Sequence, residues 1–491
     1  MRANNVSNSN FRESLKNIKT HYSVNEKELL EYSRNYGRPL KKPAVLFHPE
    51  TDLDIQEVVR FSNQHRLPLA IKGFGHSAGL HQEAFNGCLI NIRKLREIKG
   101  IQELETGEKI IEAQAGASWK EVIDFSIRQK LMPPVYTDWL MLTLGGTLSY
   151  GGIGSASFRH GLQTDHVHQL EIITADSQIY VANQSENKDL YDAARAGLGQ
   201  FGIFTRFQLK LTQAPSHVTL YKIVYTELSD FFHDAQVLMN SNSCDSIIAH
   251  FECNRPEVIE KRVGTHHFRS HDKLQELPHL NTRWLGILEV AKYHSLSNGE
   301  TPILDLNTLK AQHSHIFKDI YSIEEYLNRV PPILDSDLEK KDSEHEECTL
   351  FFPYTKESEQ LVLSFLADTT HDDIGYGTIL FVPMKGSPIH TPFFRKPKTE
   401  DFFLLGILRR VSHQSTTSQK KMMTMNHDFY HIAQKELHAC RYPCDSIMTT
   451  NWKDHYGELW DQYVTLKDRY DPHRIFSPGV GIQTHPQPLI P

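Results

Sequence analysis

A glycine-rich loop near residue 75 contains the first residues that could do chemistry. In the segment IKGFGHSAG, Gly73, Gly75 and Gly79 surround His76 and Ser77. Glycine lets a backbone approach a phosphate or a flat ring closely, and successive N–H groups can hold pyrophosphate oxygens. The loop is neither a P-loop, because Gly-Lys-Ser/Thr is missing, nor a GxGxxG fingerprint, because no helix clearly follows. The pattern alone fits either a phosphate-binding loop or a tight turn with a surface histidine.

A second glycine-rich stretch, YTDWLMLTLGGTLSYGGIGSASFRHG, begins at residue 136. Its glycines would let the backbone follow a long flat ligand, and the hydroxyls of Thr147, Ser149 and Ser155 could donate to phosphate. Asp138 stands between two aromatic residues, where partial desolvation would suit a carboxylate to acid–base work. A turn or N-cap aspartate is the structural alternative. The glycines are Gly145, Gly146, Gly151, Gly152 and Gly154.

Short strands and helices alternate around these loops. Thr51 is a candidate N-cap for the helix TDLDIQEVVRFSNQH, and the strand LPLAIK runs directly into the first loop. Further strands are predicted in GCLINIRKL and KIIEAQAGASW, and a hairpin in HQLEIITAD with QIYVAN. Alternating apolar residues predict another strand over 204–211. Mixed elements with short connections are typical of an α+β or α/β domain, and we expect the α+β class.

Glycine becomes rare and charge rises after residue 213. Helices are predicted in LSDFFHDAQVLMNS, TEDFFLLGILRRV and KKMMTMNHDFYHIAQKELHA, and strands in WLGILEVAKYH, CTLFFPY and GTILFVPMK. The charged stretch Asp335–Glu347 is predicted to be a solvated loop or helix. A helix is expected over Trp452–Arg469. These changes place domain boundaries near residues 213 and 441.

Composition excludes several other classes of protein. The 491 residues include 53 basic and 60 acidic side chains, a net charge of −7, which predicts no nucleic-acid partner. No run approaches the roughly 20 apolar residues of a membrane span, so no membrane partner is expected. The polar N-terminus has no apolar signal segment, which predicts a cytoplasmic location, although secretion by another route stays open. Six scattered cysteines predict reduced thiols and no metal site.

Four segments together resemble a known family. They are GFGHSAG, the stretch beginning YTDWLMLTLGGTLSYGG, GLGQFGIFTRF, and DHYGELWDQYVTLKDRYDPHRIFSPG. Their order and spacing are similar to the covalent-flavin oxidoreductases of the vanillyl-alcohol oxidase or PCMH type, and more narrowly to the cytokinin dehydrogenases. The resemblance covers residues 40–215 and 440–480, about half of the chain, and is weak between them.

The resemblance implies a two-domain PCMH-type fold. An FAD-binding domain would comprise residues 1–212 and 442–491, and an α+β substrate-binding domain would be inserted at 213–441. His76 falls on the histidine that carries FAD covalently, and the absence of cysteine over residues 138–146 implies a single link. The implied cofactor-binding positions are Gly73, Phe74, Gly75, His76, Ser77, Thr137, Asp138, Leu142, Thr143, Gly145, Gly146, Ser149, Gly152, Ile203, Tyr442 and Pro478.

The resemblance also implies a reaction. A small-molecule substrate, an N6-isoprenoid adenine, would lose hydride from its CH–NH bond to flavin N5, and the resulting imine would hydrolyse. Asp138 would contact the substrate amine, and oxygen or a quinone-like acceptor would take the electrons. Glu347, Tyr442 and Pro443 are the other implied substrate positions.

Two substrate positions depart from the family. The family reads HPW where this chain reads HEE, so Glu347 replaces a tryptophan wall, and Pro443 replaces a leucine. A charged side chain cannot act as an aromatic wall. Oxidation of an alcohol or sugar CH–OH group, and a non-catalytic binder that has kept the scaffold, are therefore the alternatives.

Overall fold

The described part of the chain forms three β-sheets with helices between their strands. The computed structural model describes residues 9–36, 40–256, 277, 279–295, 303–311, 315–330, 343–375, 377–412, 416–443 and 451–482. The expected α+β class is confirmed, because helices and predominantly antiparallel sheets occur together along the described chain.

The first sheet leads into the first glycine-rich loop. Its strands are Tyr22–Ser23 (β1), Val45–Phe47 (β2), Leu69–Lys72 (β3) and Cys88–Asn91 (β4). They lie in the order β1-β2-β4-β3, with β4 parallel to β2 and β3. The predicted cap at Thr51 is confirmed: its Oγ1 accepts from Asp54 N at 3.2 Å, and its own N donates to Asp54 Oδ2 at 2.8 Å. This capping box, worth about 1 kcal/mol, fixes the start of the crossover helix that returns the chain to β3.

The second sheet is antiparallel and has a long central strand. Its strands are Ile98–Glu103 (β5), Lys109–Gln114 (β6), Leu131–Met132 (β7), Val167–Ile173 (β8), Ile179–Asn183 (β9) and Ile203–Gln213 (β10). The order is β5-β6-β10-β8-β9, and β7 pairs with the end of β10. The predicted hairpin is confirmed as β8 paired with β9, and the predicted strand over 204–211 is confirmed as β10.

The third sheet contains eight antiparallel strands. They are His217–Tyr225 (β11), Ser246–Cys253 (β12), Trp284–His294 (β13), Ile316–Ser322 (β14), Ser343–Pro353 (β15), Thr378–Lys385 (β16), Asp401–Ser412 (β17) and Cys440–Arg441 (β18). Their order is β14-β11-β13-β12-β16-β17-β15-β18. Since side chains alternate between the two faces of a strand, every second residue of the central strands faces the same side.

Helices connect the strands and occupy the last part of the described chain. They are Ser9–Leu15 (α1), Glu26–Tyr32 (α2), Asp52–His65 (α3), Trp119–Ser126 (α4), Leu144–Leu148 (α5), Ser157–His160 (α6), Lys188–Ala194 (α7), Leu228–Asn240 (α8), Ile323–Leu327 (α9), Lys356–Asp368 (α10), His371–Ile374 (α11), Thr416–Leu437 (α12), Trp452–Tyr456 (α13) and Trp460–Tyr470 (α14). The single helix expected over Trp452–Arg469 is wrong in one respect. It breaks at Gly457, whose φ of +54° is outside the helical range.

Two predictions for the third sheet are wrong. The segment TEDFFLLGILRRV, predicted to be a helix, is the strand β17, which pairs with β15 on one side and β16 on the other. The stretch at residues 335–342 lies outside the described residues, but His345, Glu346 and Glu347 are buried in β15 rather than solvated. In both cases pairing with distant strands decides the structure, because a short apolar or charged run has no decisive period of its own.

The division into domains stays a prediction. The second sheet ends with β10 at Gln213 and the third begins with β11 at His217, close to the predicted boundary. One hydrophobic cluster nevertheless contains residues from both sides of it, among them Leu209, Val218 and Ala291. The two parts of the chain therefore share a packed core.

The described residues were also searched for membrane spans, disulfides and metal sites. None of their helices combines the length and the apolar character needed to cross a membrane. The five cysteines among them are free thiols, as predicted, and Cys444 lies outside the described residues. The same residues contain no group of three or more histidine, cysteine or acidic side chains placed to hold a metal ion.

Candidate active site

A cavity of about 670 Å³ lies where the two glycine-rich loops meet the third sheet. Its walls come from the loop after β3, the segment from Thr137 to Gly154, the turn before β10, and alternate residues of strands β11, β12, β13 and β15–β17. A volume of this order is typical of sites for cofactors and small molecules. Both loops singled out by sequence therefore belong to one site.

The first loop is held tightly against the second. A side chain added at Gly73 would lie 2.4 Å from Thr143 Oγ1, so the two backbones approach each other closely there. Gly75 has a φ of +79°, a conformation that favours glycine. Its carbonyl accepts from Tyr36 N at 2.7 Å. These constraints explain two of the glycines and fix His76 on the cavity wall.

His76 lies between two aromatic rings. Its ring centroid is 4.0 Å from that of Tyr36 and 3.9 Å from that of Trp139. Its Nδ1 is buried and has no hydrogen-bond partner among the described residues. Burial, with a smaller contribution from His345, lowers the pKa of His76 well below its usual value. The imidazole is therefore neutral at pH 7, the form in which a ring nitrogen can act as a nucleophile.

The second loop is anchored through its backbone. Leu144 N donates to Ala117 O at 2.8 Å, and Gly145 N donates to Ala115 O at 2.9 Å. Thr143 caps the short helix α5 by accepting from Gly146 N at 3.2 Å. The predicted phosphate donor Ser149 instead gives its hydroxyl proton to Gly145 O at 2.7 Å. Its hydroxyl therefore helps to hold the turn in shape.

Asp138 is positioned by hydrogen bonds of its neighbours. Thr137 Oγ1 donates to Trp139 O at 2.8 Å, which brackets Asp138 in a turn. The following carbonyls of Leu140 and Leu142 accept from the first residues of α4. Asp138 Oδ1 accepts from Arg329 Nη2, and among the described residues Oδ2 accepts no hydrogen bond. Asp138 thus presents one paired and one open oxygen at the cavity wall.

A chain of charged side chains continues from this aspartate. Arg329 Nε lies 4.0 Å from Glu289 Oε2, and Lys222 Nζ lies 2.9 Å from Glu289 Oε1. Burial alone would lower the pKa of Arg329, but Tyr326 and the two carboxylates hold it well above its ordinary value. Burial lowers the pKa of Lys222 to about 8, against the opposing effect of Glu289. Arg329 therefore stays charged in the cavity wall.

The wall formed by β15 and β17 is also polar. His345, Glu347 and Thr349 face the cavity from β15, and Arg410 lies opposite His345 on β17. The His345 ring is 3.6 Å from that of Tyr36, and its Nδ1 is 4.0 Å from Glu347 Oε1. Burial, with Arg410, lowers the pKa of His345 to about 3. Glu347, only 8% exposed, therefore lies in the wall beside a neutral histidine.

Most residues implied by the resemblance lie together on this cavity. Pro443 and Pro478 are not among its lining residues: Pro443 is buried, and Pro478 is exposed. The residues that do line it are Gly73, Phe74, Gly75, His76, Ser77, Thr137, Asp138, Leu142, Thr143, Gly145, Gly146, Ser149, Gly152, Ile203, Glu347 and Tyr442.

Several lining residues were not found from sequence. Tyr36 and Gln82 precede and follow the first loop, and the proximity of Gln82 to His76 in sequence was a usable signal. Arg329, Glu289 and Lys222 lie far along the chain, in segments with no motif. Strand pairing in the third sheet places Lys222 beside Glu289, and the helix α9 that follows β14 brings Arg329 next to them.

The cavity fits a bound FAD. Gln82 is 6% exposed, and both atoms of its side-chain amide lack a partner among the described residues, as do His76 Nδ1 and the indole N–H of Trp139. Buried polar atoms without partners are costly, and a ligand rich in hydrogen-bonding groups would satisfy them. These atoms line the same cavity as the closely packed glycine backbone. Gln82 and Trp139 would hold the cofactor from the side of the first loop.

Two models of known protein families match the chain, one in each part of this architecture. Residues 43–183 match the model described as "FAD binding domain", so fold and site define an FAD-dependent oxidoreductase. Residues 215–483, more than half of the chain, match the model described as "Cytokinin dehydrogenase 1, FAD and cytokinin binding". The chain therefore belongs to the cytokinin dehydrogenase family. It is an FAD-dependent oxidase or dehydrogenase of a small-molecule substrate.

Relatives and solved structures agree with this assignment. The "Uncharacterized oxidoreductase ORF5 in fasciation locus" of Rhodococcoides fascians is 28% identical, covering 89% of this chain and 93% of that protein. Cytokinin dehydrogenase 7 of Oryza sativa subsp. japonica is also 28% identical, covering 93% and 90%. The structure of wild-type Physcomitrella patens BBE-like 1 covers 97% of this chain and 100% of its own, with a TM-score of 0.70. At 14% identity, that last likeness shows the fold alone.

Proposed function

We propose that the protein oxidises the CH–NH bond of an N6-isoprenoid adenine side chain. One observation carries the proposal: a single cavity contains both His76 and Asp138, and Asp138 Oδ2 accepts no hydrogen bond from any residue that the structure describes. A carboxylate that accepts the substrate N–H raises the electron density on nitrogen, which favours loss of hydride from the adjacent carbon. Family membership and the cytokinin dehydrogenase relatives support the substrate class.

We propose that the cofactor is held covalently through His76. When bound, FAD supplies the redox chemistry by accepting hydride at flavin N5. The protein supplies a neutral imidazole whose Nδ1 has no partner within the described part of the chain, and the rings of Tyr36 and Trp139 fix its orientation. No described cysteine lines the cavity, which supports a single link.

The oxidised substrate is an imine, and water adds to it to give an amine and an aldehyde. The two electrons leave to oxygen or to a quinone-like acceptor, whose identity is part of the proposal. Turnover with oxygen alone, compared with turnover after adding a quinone under anaerobic conditions, identifies the acceptor.

Anaerobic mixing with isopentenyladenine tests the proposal. We expect the visible flavin absorbance to bleach and the adenine and aldehyde products to appear by mass spectrometry. An N6-methyl, N6-isopentenyl adenine, which has no N–H for Asp138 to accept, is the matched control and should bleach the flavin far more slowly. No bleaching by isopentenyladenine, with rapid bleaching by an alcohol, would overturn the proposal.

A CH–OH substrate is the second candidate, because of the wall at Glu347. A buried carboxylate there can accept hydrogen bonds from the hydroxyls of an alcohol or sugar, whereas it gives an isoprenoid chain no apolar contact. A panel of alcohols and sugars in the same bleaching assay distinguishes the two candidates.

A further inference from the structure

We propose that Arg329 is a positioning residue that holds the Asp138 carboxylate in the orientation in which it faces the substrate. The inference rests on the proposed function, since it concerns the same cavity. Arg329 Nη2 donates to Asp138 Oδ1, so the cation occupies one oxygen and leaves Oδ2 for the substrate. Both residues line the cavity. Arg329 acts through Asp138 and need not touch the substrate.

The guanidinium itself is fixed by its surroundings. Arg329 is 8% exposed and lies two residues after the end of helix α9. Its Nη1 donates to Tyr326 O at 3.3 Å, and its Cζ lies 4.1 Å from the centroid of the Tyr326 ring. A planar cation stacked on an aromatic ring loses little freedom when it pairs with a carboxylate. Arg329 can therefore impose an orientation on Asp138.

Other acidic side chains lie near Asp138 and Arg329, which explains why a cation is placed beside Asp138. Glu289, on β13, and Lys222, on β11, extend the alternation of charge beyond Arg329. Glu252, on β12, lies near Lys222, and its Oε1 accepts from Thr378 Oγ1 at 2.7 Å. Among the described residues, the other titratable groups facing Asp138 and Arg329 are the phenols of Tyr136, Tyr293 and Tyr326. Without Arg329, Asp138 would share the cavity wall with other carboxylates and would lose the one cation that is hydrogen-bonded to it among the described residues.

Two variants separate the effect of the positive charge from the effect of the guanidinium geometry. Arg329→Met removes the charge, whereas Arg329→Lys keeps the charge and loses the planar fork. The measurement is the anaerobic rate of flavin reduction as a function of pH, with whichever substrate bleaches the wild-type flavin. In Arg329→Met we expect the acid limb of the profile to move to higher pH by about 1–3 units, since the neighbouring cation is lost. In Arg329→Lys we expect the limb to stay in place and the rate to fall about tenfold, because a point charge cannot fix the carboxylate as the planar fork does.

Arg195 offers a matched control. It is 2% exposed, its Nη2 lies 3.0 Å from Asp192 Oδ1, and its Cζ lies 3.8 Å from the Tyr191 ring centroid. It reproduces the burial, ion pair and ring contact of Arg329 but does not line the cavity. Arg195→Met and Arg195→Lys should lower the melting temperature without moving the acid limb.

An acid limb that does not move in Arg329→Met, or a wild-type rate in Arg329→Lys, would overturn the proposal. Arg329→Gln, uncharged but still able to donate to Asp138, replaces Arg329→Met if the latter fails to fold. If no substrate bleaches the wild-type flavin, the proposed function fails, but an infrared titration still tests Arg329. The carboxylic-acid band that Asp138→Asn removes should then appear at higher pH in the uncharged variant, and a band at unchanged pH refutes the role.

Discussion

Replacing Asp138 by asparagine tests the centre of the proposed reaction. The amide has almost the same shape as the carboxylate, so the turn set by Thr137 and Trp139 should persist. One amide oxygen can still accept from Arg329 Nη2, the bond that Oδ1 now makes. The group facing the substrate then becomes an NH2 donor, which opposes a substrate N–H instead of accepting from it.

The expected loss of flavin-reduction rate follows from the hydrogen bond between the substrate N–H and Asp138, which the asparagine cannot make. A hydrogen bond to a charged acceptor contributes about 1.5–3 kcal/mol, and each 1.4 kcal/mol corresponds to about tenfold in rate. Flavin reduction should therefore slow by roughly 10- to 150-fold if the bond strengthens in the transition state. Flavin content should stay unchanged, because the cofactor contacts assigned to His76 and Gln82 are untouched.

Anaerobic stopped-flow spectroscopy measures this rate directly. The wild type and Asp138→Asn would be compared at equal flavin content, with the melting temperature recorded to detect any effect of leaving Arg329 without its carboxylate. A reduction rate within twofold of wild type, with a substrate that carries an N–H, would refute the assignment of Asp138 as the acceptor.

Three further changes have defined outcomes. His76→Ala should release the flavin into the supernatant on acid precipitation, whereas the wild-type pellet stays yellow; a yellow variant pellet would disprove the tether. Glu347→Leu should raise the flavin-reduction rate with isopentenyladenine relative to sugars by about tenfold, because an apolar wall replaces a buried carboxylate, and an unchanged ratio in the bleaching assay counts against that role. Burial lowers the pKa of Lys72 to about 8, so the unfolded state binds more protons between about pH 8 and 10.5. Over that window, urea denaturation should show wild-type stability rising relative to Lys72→Met, and parallel curves would contradict this.

Sequence predicted the elements whose signals are local. The helix after Thr51 has its cap and first-turn acid within four residues, and the hairpin β8–β9 is read from two adjacent runs. Strand β10 shows alternation over its own length. In each case the chemistry that fixes the structure lies within the segment itself.

The wrong or missing predictions concern residues whose structure is fixed by partners far away in the sequence. Residues 401–412 contain a continuous apolar run that fits a helix or a buried strand, and only pairing with β15 and β16 makes it a strand. Glu346 and Glu347 carry charge, yet the sheet buries them. Arg329 gives no sign in the sequence that it lies against Asp138, because 191 positions separate the two residues along the chain. The family resemblance predicted the two glycine-rich loops, but it could not predict that Arg329 pairs with Asp138.

Tyr36 links His76, the proposed tether, to the cavity wall that contains Glu347. The centroid of the Tyr36 ring lies 4.0 Å from that of His76 and 3.6 Å from that of His345, so Tyr36 contacts both rings, each at a tilted angle. Glu347 is two residues from His345 on the same face of β15. A substitution that rebuilds the wall at Glu347 can therefore shift His345, Tyr36 and the imidazole in turn. A change in substrate preference after such a substitution counts as specificity only where the fraction of covalently bound flavin is unchanged.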